Sequence, residues 1–322
     1  MRDFSLIAAL AFVLMAPGAS WSADLLYVVQ AIDEDNASLG IAKYDVSLGT
    51  SQSIQDSAQF SSVNGQVLYG LYGLAFNSVG DLYVTDLENN RVMKFNSSGL
   101  AQTISTNVSS PNGIAIDSAD NVYISNMSIS TYGDSISKFD SSGQFLGFIG
   151  SSSTLNAPTG LAFDSVGNLY AGNFSGHSIS KFDSQGVYQS SITTNLGLVQ
   201  GIAIDSSDNI YAASEGNFSP YANTISKFDS QGVYQSSITT NLDKPYGITF
   251  DSFGNLYVAN PGNHTISKFD SSGIFQFSWY AYSPRFLAFG PGDIVVPEPS
   301  TYIMGTIAAL TMGVLARRRC TT

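Results

Sequence analysis

The chain has 322 residues, a formal net charge of −12 and an isoelectric point near 4.3. A surface that acidic repels nucleic acid, which is excluded as a partner. The single cysteine, Cys320, sits at the far end, so no disulfide framework holds the chain and its stability rests on burial.

Residues 1–22 have the layout of a secretory signal peptide: Arg2, an apolar run from Leu6 to Met15, then Pro17, Gly18 and small side chains. The run is too short for a lasting membrane span. Cleavage after Ser22 and after Ala23 both fit. Strand-like segments begin just beyond, at Leu26 to Val29, Ile41 to Asp45 and Ser51 to Gln55.

One unit then recurs, starting at Gly73, Gly113, Gly160, Gly201 and Gly247, with spacings of 40, 47, 41 and 46 residues. Those spacings are the length of propeller blades. Each copy predicts four short strands. Apolar runs such as Leu161 to Phe163 suit a crowded innermost strand, and the turn after them is built around Asp164, Asp205 or Asp251. A second strand follows (Leu169 to Ala171), then an alternating third strand (Ile179 to Phe182) that directs Lys181 to water. Asp183 to Gly186 makes a hairpin into the outer strand, Val187 to Ile192. Ile179 to Leu196 recurs unchanged as Ile225 to Leu242, the mark of a recent blade duplication.

No part of this region has a sustained helical period, so the fold class is all-β. After the fifth copy there remain Phe286 to Phe289, a Gly-Pro-Gly-Asp turn and Ile294 to Val296. Joined to the strands at the other end, they complete one composite blade. Residues 23–296 therefore predict a six-bladed β-propeller whose terminal strands close the ring and remove exposed sheet edges.

The segment Gly262-Asn263-His264-Thr265-Ile266-Ser267-Lys268-Phe269-Asp270 resembles the NHL repeat, with weaker copies at Asn89 to Val92 and Gly176 to Ile179. The resemblance covers nearly all of the region between the two ends. It implies a propeller, and a range of functions: protein-binding scaffolds, matrix proteins and a few lyases.

Residues 297–322 form a second signal. Pro297-Glu298-Pro299 is followed by an uncharged stretch from Tyr302 to Ala316 and by Arg317, Arg318 and Arg319. Hydropathy alone reads a short transmembrane helix with its arginines on the cytoplasmic side. The ordered triad resembles a PEP-CTERM sorting signal, the type recognised by exosortases in Gram-negative bacteria. That implies an exosortase-type processing enzyme as partner, cleavage near Pro297, a transient inner-membrane hold, and a final place at the cell surface or outside the cell. A plain C-terminal anchor is the other reading. Without the two ends, nine basic and 23 acidic residues remain.

Three sets of residues are candidates for a site. The position after the second strand is Gln30, Asp86, Asn126, Asn173, Ser214 and Asn260 in the six blades. Such a ring either converges on a cation, sugar or peptide carbonyl, or caps each blade's own turn. The loops beyond alternate between six positions and ten or eleven. The long ones carry Asp33, Glu34 and Asp35, Tyr132, and Phe218 with Tyr221, which suit carbohydrate or peptide recognition on a rigid scaffold. The only histidines, His177 and His264, share one repeat position in alternate blades. They are either structural, as the repeat signature implies, or zinc ligands with Asp86 as a third. No Gly-x-Ser-x-Gly elbow, His-Glu-x-x-His or phosphate loop occurs. These observations favour an exported, non-catalytic scaffold that binds envelope proteins or extracellular polysaccharide without a cofactor. A metal-dependent propeller lyase or hydrolase is the alternative.

Overall fold

A computed structural model describes residues 25–31, 39–46, 55–56, 62–63, 66–67, 70–96, 101–127, 134–216 and 220–290. Both terminal signals, and the strand expected at Ile294 to Val296, lie outside them. The described residues form six four-stranded antiparallel sheets in a ring, each ordered from the channel outward. We number the blades in chain order. Blade one is composite, with Leu287–Gly290 innermost, followed by Leu25–Ala31, Leu39–Asp45 and Gln55–Asp56. Blades two to six occupy 71–104, 111–149, 158–192, 198–238 and 248–280. The expected closure is present: Leu25 pairs with Gly290 and Val28 with Leu287. A two-stranded ladder, Ser62–Val63 on Gln66–Val67, lies between blades one and two and was not expected from the sequence.

The ring is held by packing between blades. Each apolar cluster joins two neighbours, as where Tyr83 and Val92 of blade two meet Ile114, Val122 and Phe139 of blade three. The composite joint uses the same device. Leu26, Val28 and Tyr44 of blade one pack on Tyr257, Ile266 and Trp279 of blade six. The third-strand phenylalanines Phe139, Phe182, Phe228 and Phe269 are fully buried at equivalent joints.

The repeat glycines have a steric cause. A Cβ at Gly113 would run into the Thr159 carbonyl oxygen of the next blade, and one at Gly247 would lie 2.6 Å from the Arg285 carbonyl oxygen. Innermost strands approach so closely that only glycine fits. Hydroxyls stitch the approach together. The Thr85 hydroxyl accepts the Gly73 N–H (2.8 Å) and donates to the Asn112 carbonyl (2.7 Å). Ser125 does the same between Gly113 and Thr159. Turn aspartates act as predicted: Asp164 Oδ1 accepts the N–H groups of Val166 and Asn168. The lysines do not simply reach into water. Lys181 lies half-buried, its Nζ 5.0 Å from the centroid of the Tyr170 ring, and Lys94, Lys138, Lys227 and Lys268 repeat the arrangement.

Candidate functional site

The ring residues that end the second strands are buried: Asp86, Asn126, Ser214 and Asn260 are 0% exposed and Asn173 is 1% exposed. Asn126 shows what holds them there. Its Oδ1 accepts the Ser109 N–H from the loop arriving from blade two, while its Nδ2 donates to the Ser135 and Ser137 hydroxyls. Asn173 and Asn260 repeat this with the Asn156 and Asp243 N–H groups. Ser214 accepts the Gly197 N–H, and Asp86 binds Asn89 and, at 2.8 Å, Arg91. These contacts are the turn-capping alternative, extended to pin the incoming inter-blade loop. The side chain of Gln30 lies outside the described residues.

The histidines also serve the loops. His264 has a positive φ of 58°, accepts the Ser283 N–H at Nδ1 (3.0 Å) and stacks on Tyr282 at 4.7 Å. Asn90, Asp134 and Asn223 accept N–H groups of the following blade's loop in the same manner, from Ser110, Ala157 and Lys244. His177 shares the positive φ, at 47°. The structure does not bring His177, His264 and Asp86 together as zinc ligands: among the described residues no three His, Cys, Asp or Glu side chains form such a group. Of the loop aromatics, Tyr132 and Phe218 lie outside the described residues, as do Pro297, Glu298, Pro299, Arg317, Arg318 and Arg319. Tyr221 is placed, with its carbonyl accepting the Thr224 hydroxyl.

Polar groups converge instead one residue ahead of each repeat glycine, where the innermost strands start. That position is Tyr72, Asn112, Thr159, Gln200 and Tyr246, with Arg285 at the corresponding place in blade one. In blades two to five the strand register shifts here, as between Pro111 and Ile114 or Val199 and Gly201. A bulge of this kind re-aims a side chain, though the Thr159 hydroxyl is turned into the seam between blades, where it donates to the Gly172 and Val199 carbonyls. The Arg285 guanidinium lies 4.8 Å from the Tyr72 ring and 5.8 Å from the Tyr246 ring, whose centroids are 6.3 Å apart. It forms no ion pair with a described residue, and its Nε is buried without a hydrogen-bond partner.

Two buried acceptors share this condition. Asn112, 1% exposed, donates to Met127 Sδ, but its Oδ1 has no partner. Gln200, 5% exposed, donates to Glu215 Oε2 at 2.6 Å, but its Oε1 has none. A buried polar atom left unsatisfied costs roughly 1–3 kcal/mol. Burial holds the Tyr246 phenol well above its ordinary pKa; Tyr72 and Glu215 push the same way, while Arg285 and Asn112 oppose them. The phenol is therefore neutral and a donor at ordinary pH.

A cavity of about 310 Å³ is lined by residues including Leu161, Phe163, Ile202, Phe250 and Phe286. Phe286 stands where the other blades have glycine, and its ring packs edge-on against Tyr246 at 5.3 Å.

Residues 233–259 match the family described as Beta-propeller repeat. No curated protein matches the chain. Among solved structures, the chain is similar to one from a nidogen/laminin complex (TM-score 0.66, 18% identity, covering 82% of this chain and 97% of that one). It is also similar to virginiamycin B lyase from Staphylococcus aureus (TM-score 0.56, 17% identity, 67% and 73%). A protein of unknown function from Bacteroides caccae gives a TM-score of 0.60 at 11% identity, covering 83% and 98%. At these identities the likenesses establish architecture and nothing finer: the chain is an all-β, six-bladed propeller.

Proposed function

We propose that the chain is an exported, non-catalytic β-propeller that binds a partner at the polar mouth of its channel and acts as a scaffold component of the cell envelope or extracellular matrix. The observation that carries the binding role is the half-buried Arg285, packed against two tyrosine rings with no counterion among the described residues and with unsatisfied acceptors on Asn112 and Gln200. Export rests on the signal-peptide pattern of residues 1–22. Sorting by an exosortase-type enzyme rests on Pro297-Glu298-Pro299, the uncharged stretch and the three arginines, in that order. A lyase reading has the likeness to virginiamycin B lyase behind it, but no metal-ligand group among the described residues.

The test is retention of the full chain on envelope fragments from its native host. Wild-type protein is retained, and Arg285→Gln is released at equal folded stability. Equal retention of both proteins would show that the mouth is not the binding site.

A further inference from the structure

The mouth cluster specifies the chemistry of its ligand, on the premise that the mouth is the binding site proposed above. Arg285 offers a charged Nε–H with no acceptor. A guanidinium presents two parallel N–H groups that match a carboxylate. Asn112 Oδ1 and Gln200 Oε1 are acceptors with no donor, so the ligand also carries N–H or O–H groups beside its anion. Two kinds of polymer combine these groups: a peptide with a free C-terminus and an acidic polysaccharide built from uronic acids.

Charge separates them. The chain carries −12 overall, and Glu215 lies beside the cluster, hydrogen-bonded to Gln200. A polyanion meets net repulsion along its length, whereas a single terminal carboxylate on a neutral peptide does not. Shape agrees. Arg285 packs against two rings whose centroids are 6.3 Å apart, which suits the tip of a chain better than its side. From these observations we infer that the channel mouth captures the free C-terminal carboxylate of a peptide or protein partner. The carboxylate pairs with Arg285, and the donors of the last residues meet Asn112 Oδ1 and Gln200 Oε1. The phenol of Tyr246 is placed to donate a further hydrogen bond.

The experiment uses the immobilised full chain and two peptide libraries with the same randomised last four residues, one ending in free carboxylates and the other in carboxamides. Oligogalacturonate is the third probe. The expected result is at least tenfold enrichment of free-acid peptides over carboxamides. That enrichment disappears in Arg285→Gln and falls several-fold in Gln200→Ala, each assayed where circular dichroism shows the variant folded. Equal enrichment of acid and amide libraries, or enrichment that survives Arg285→Gln, overturns the inference. Preferential binding of oligogalacturonate that depends on Arg285 overturns it too, but leaves the mouth as the binding site. If no probe binds and envelope retention is also indifferent to Arg285, both readings fall together.

Discussion

Replacing Asn126 by alanine separates a loop-pinning role from a ligand-binding one. Asn126 is fully buried, accepts the Ser109 N–H at 2.9 Å and donates to Ser135 (3.2 Å) and Ser137 (2.8 Å). Alanine removes the acceptor of a buried N–H, at roughly 1–3 kcal/mol, and two further hydrogen bonds worth about 1 kcal/mol each. The expected loss is therefore about 3–5 kcal/mol. Serine supplies an internal comparison, because Ser214 fills this position in blade five and still accepts the Gly197 N–H at 3.0 Å. Asn126→Ser keeps a loop acceptor and loses less, about 1–2 kcal/mol. Urea titration followed by tryptophan fluorescence and far-ultraviolet circular dichroism measures both. The reasoning is refuted if alanine and serine are equally harmful, or if Asn126→Ala leaves the midpoint unchanged while envelope retention is lost.

Other sites test the same physics. Gly113→Ala forces a methyl group against the Thr159 carbonyl, so it destabilises by about 3 kcal/mol or more, whereas Gly→Ala at an unobstructed strand position is near neutral or favourable; a wild-type midpoint would contradict the close approach of the inner strands. Phe182→Ala and Phe228→Ala empty equivalent fully buried joints and each lose about 3–5 kcal/mol by denaturant titration; exposed Val166 tolerates the same change. Burial holds the phenols of Tyr123, Tyr170, Tyr211 and Tyr246 above their ordinary pKa of 10.0, so the folded state keeps those protons longer than the unfolded one. Their contribution is intact below pH 10.0 and is lost as pH rises beyond it; a midpoint that is flat or rising above that pH contradicts the burial argument. Alanines at Pro297, Glu298 and Pro299 leave the protein in the membrane at unprocessed size, checked by host fractionation and mass spectrometry of its C-terminus; normal release argues against sorting.

The fold was legible because a propeller writes its period into the chain. The copies starting at Gly73, Gly113, Gly160, Gly201 and Gly247 became blades two to six, and the leftover ends paired as predicted, Leu25 with Gly290. What strand patterning could not reveal was the reason for the glycine. It lies in contact with the neighbouring blade, about 40 residues away in sequence. The candidate site was less legible for a related reason. Asn126, Asn173 and Asn260 drew attention because they recur, yet recurrence at equivalent positions is what a load common to every blade requires. Pinning the inter-blade loop is such a load. His264 recurs in kind with Asn90 and Asn223 on the same account.

A site for one ligand at the axis of a ring imposes the opposite pattern. Every blade supplies one side chain to the same small volume, but an asymmetric ligand asks something different of each. The position ahead of the glycine varies in this way: two tyrosines, Tyr72 and Tyr246, two amides, Asn112 and Gln200, then Thr159 and Arg285. The next residue is glycine in every blade but the composite one, where Phe286 packs against Tyr246. Variation at this position beside a recurring glycine was present in the sequence. It becomes informative once the strand register is seen to shift at that position in blades two to five. In a propeller, then, the repeat reports the scaffold, and the departure from the repeat reports where a partner is met.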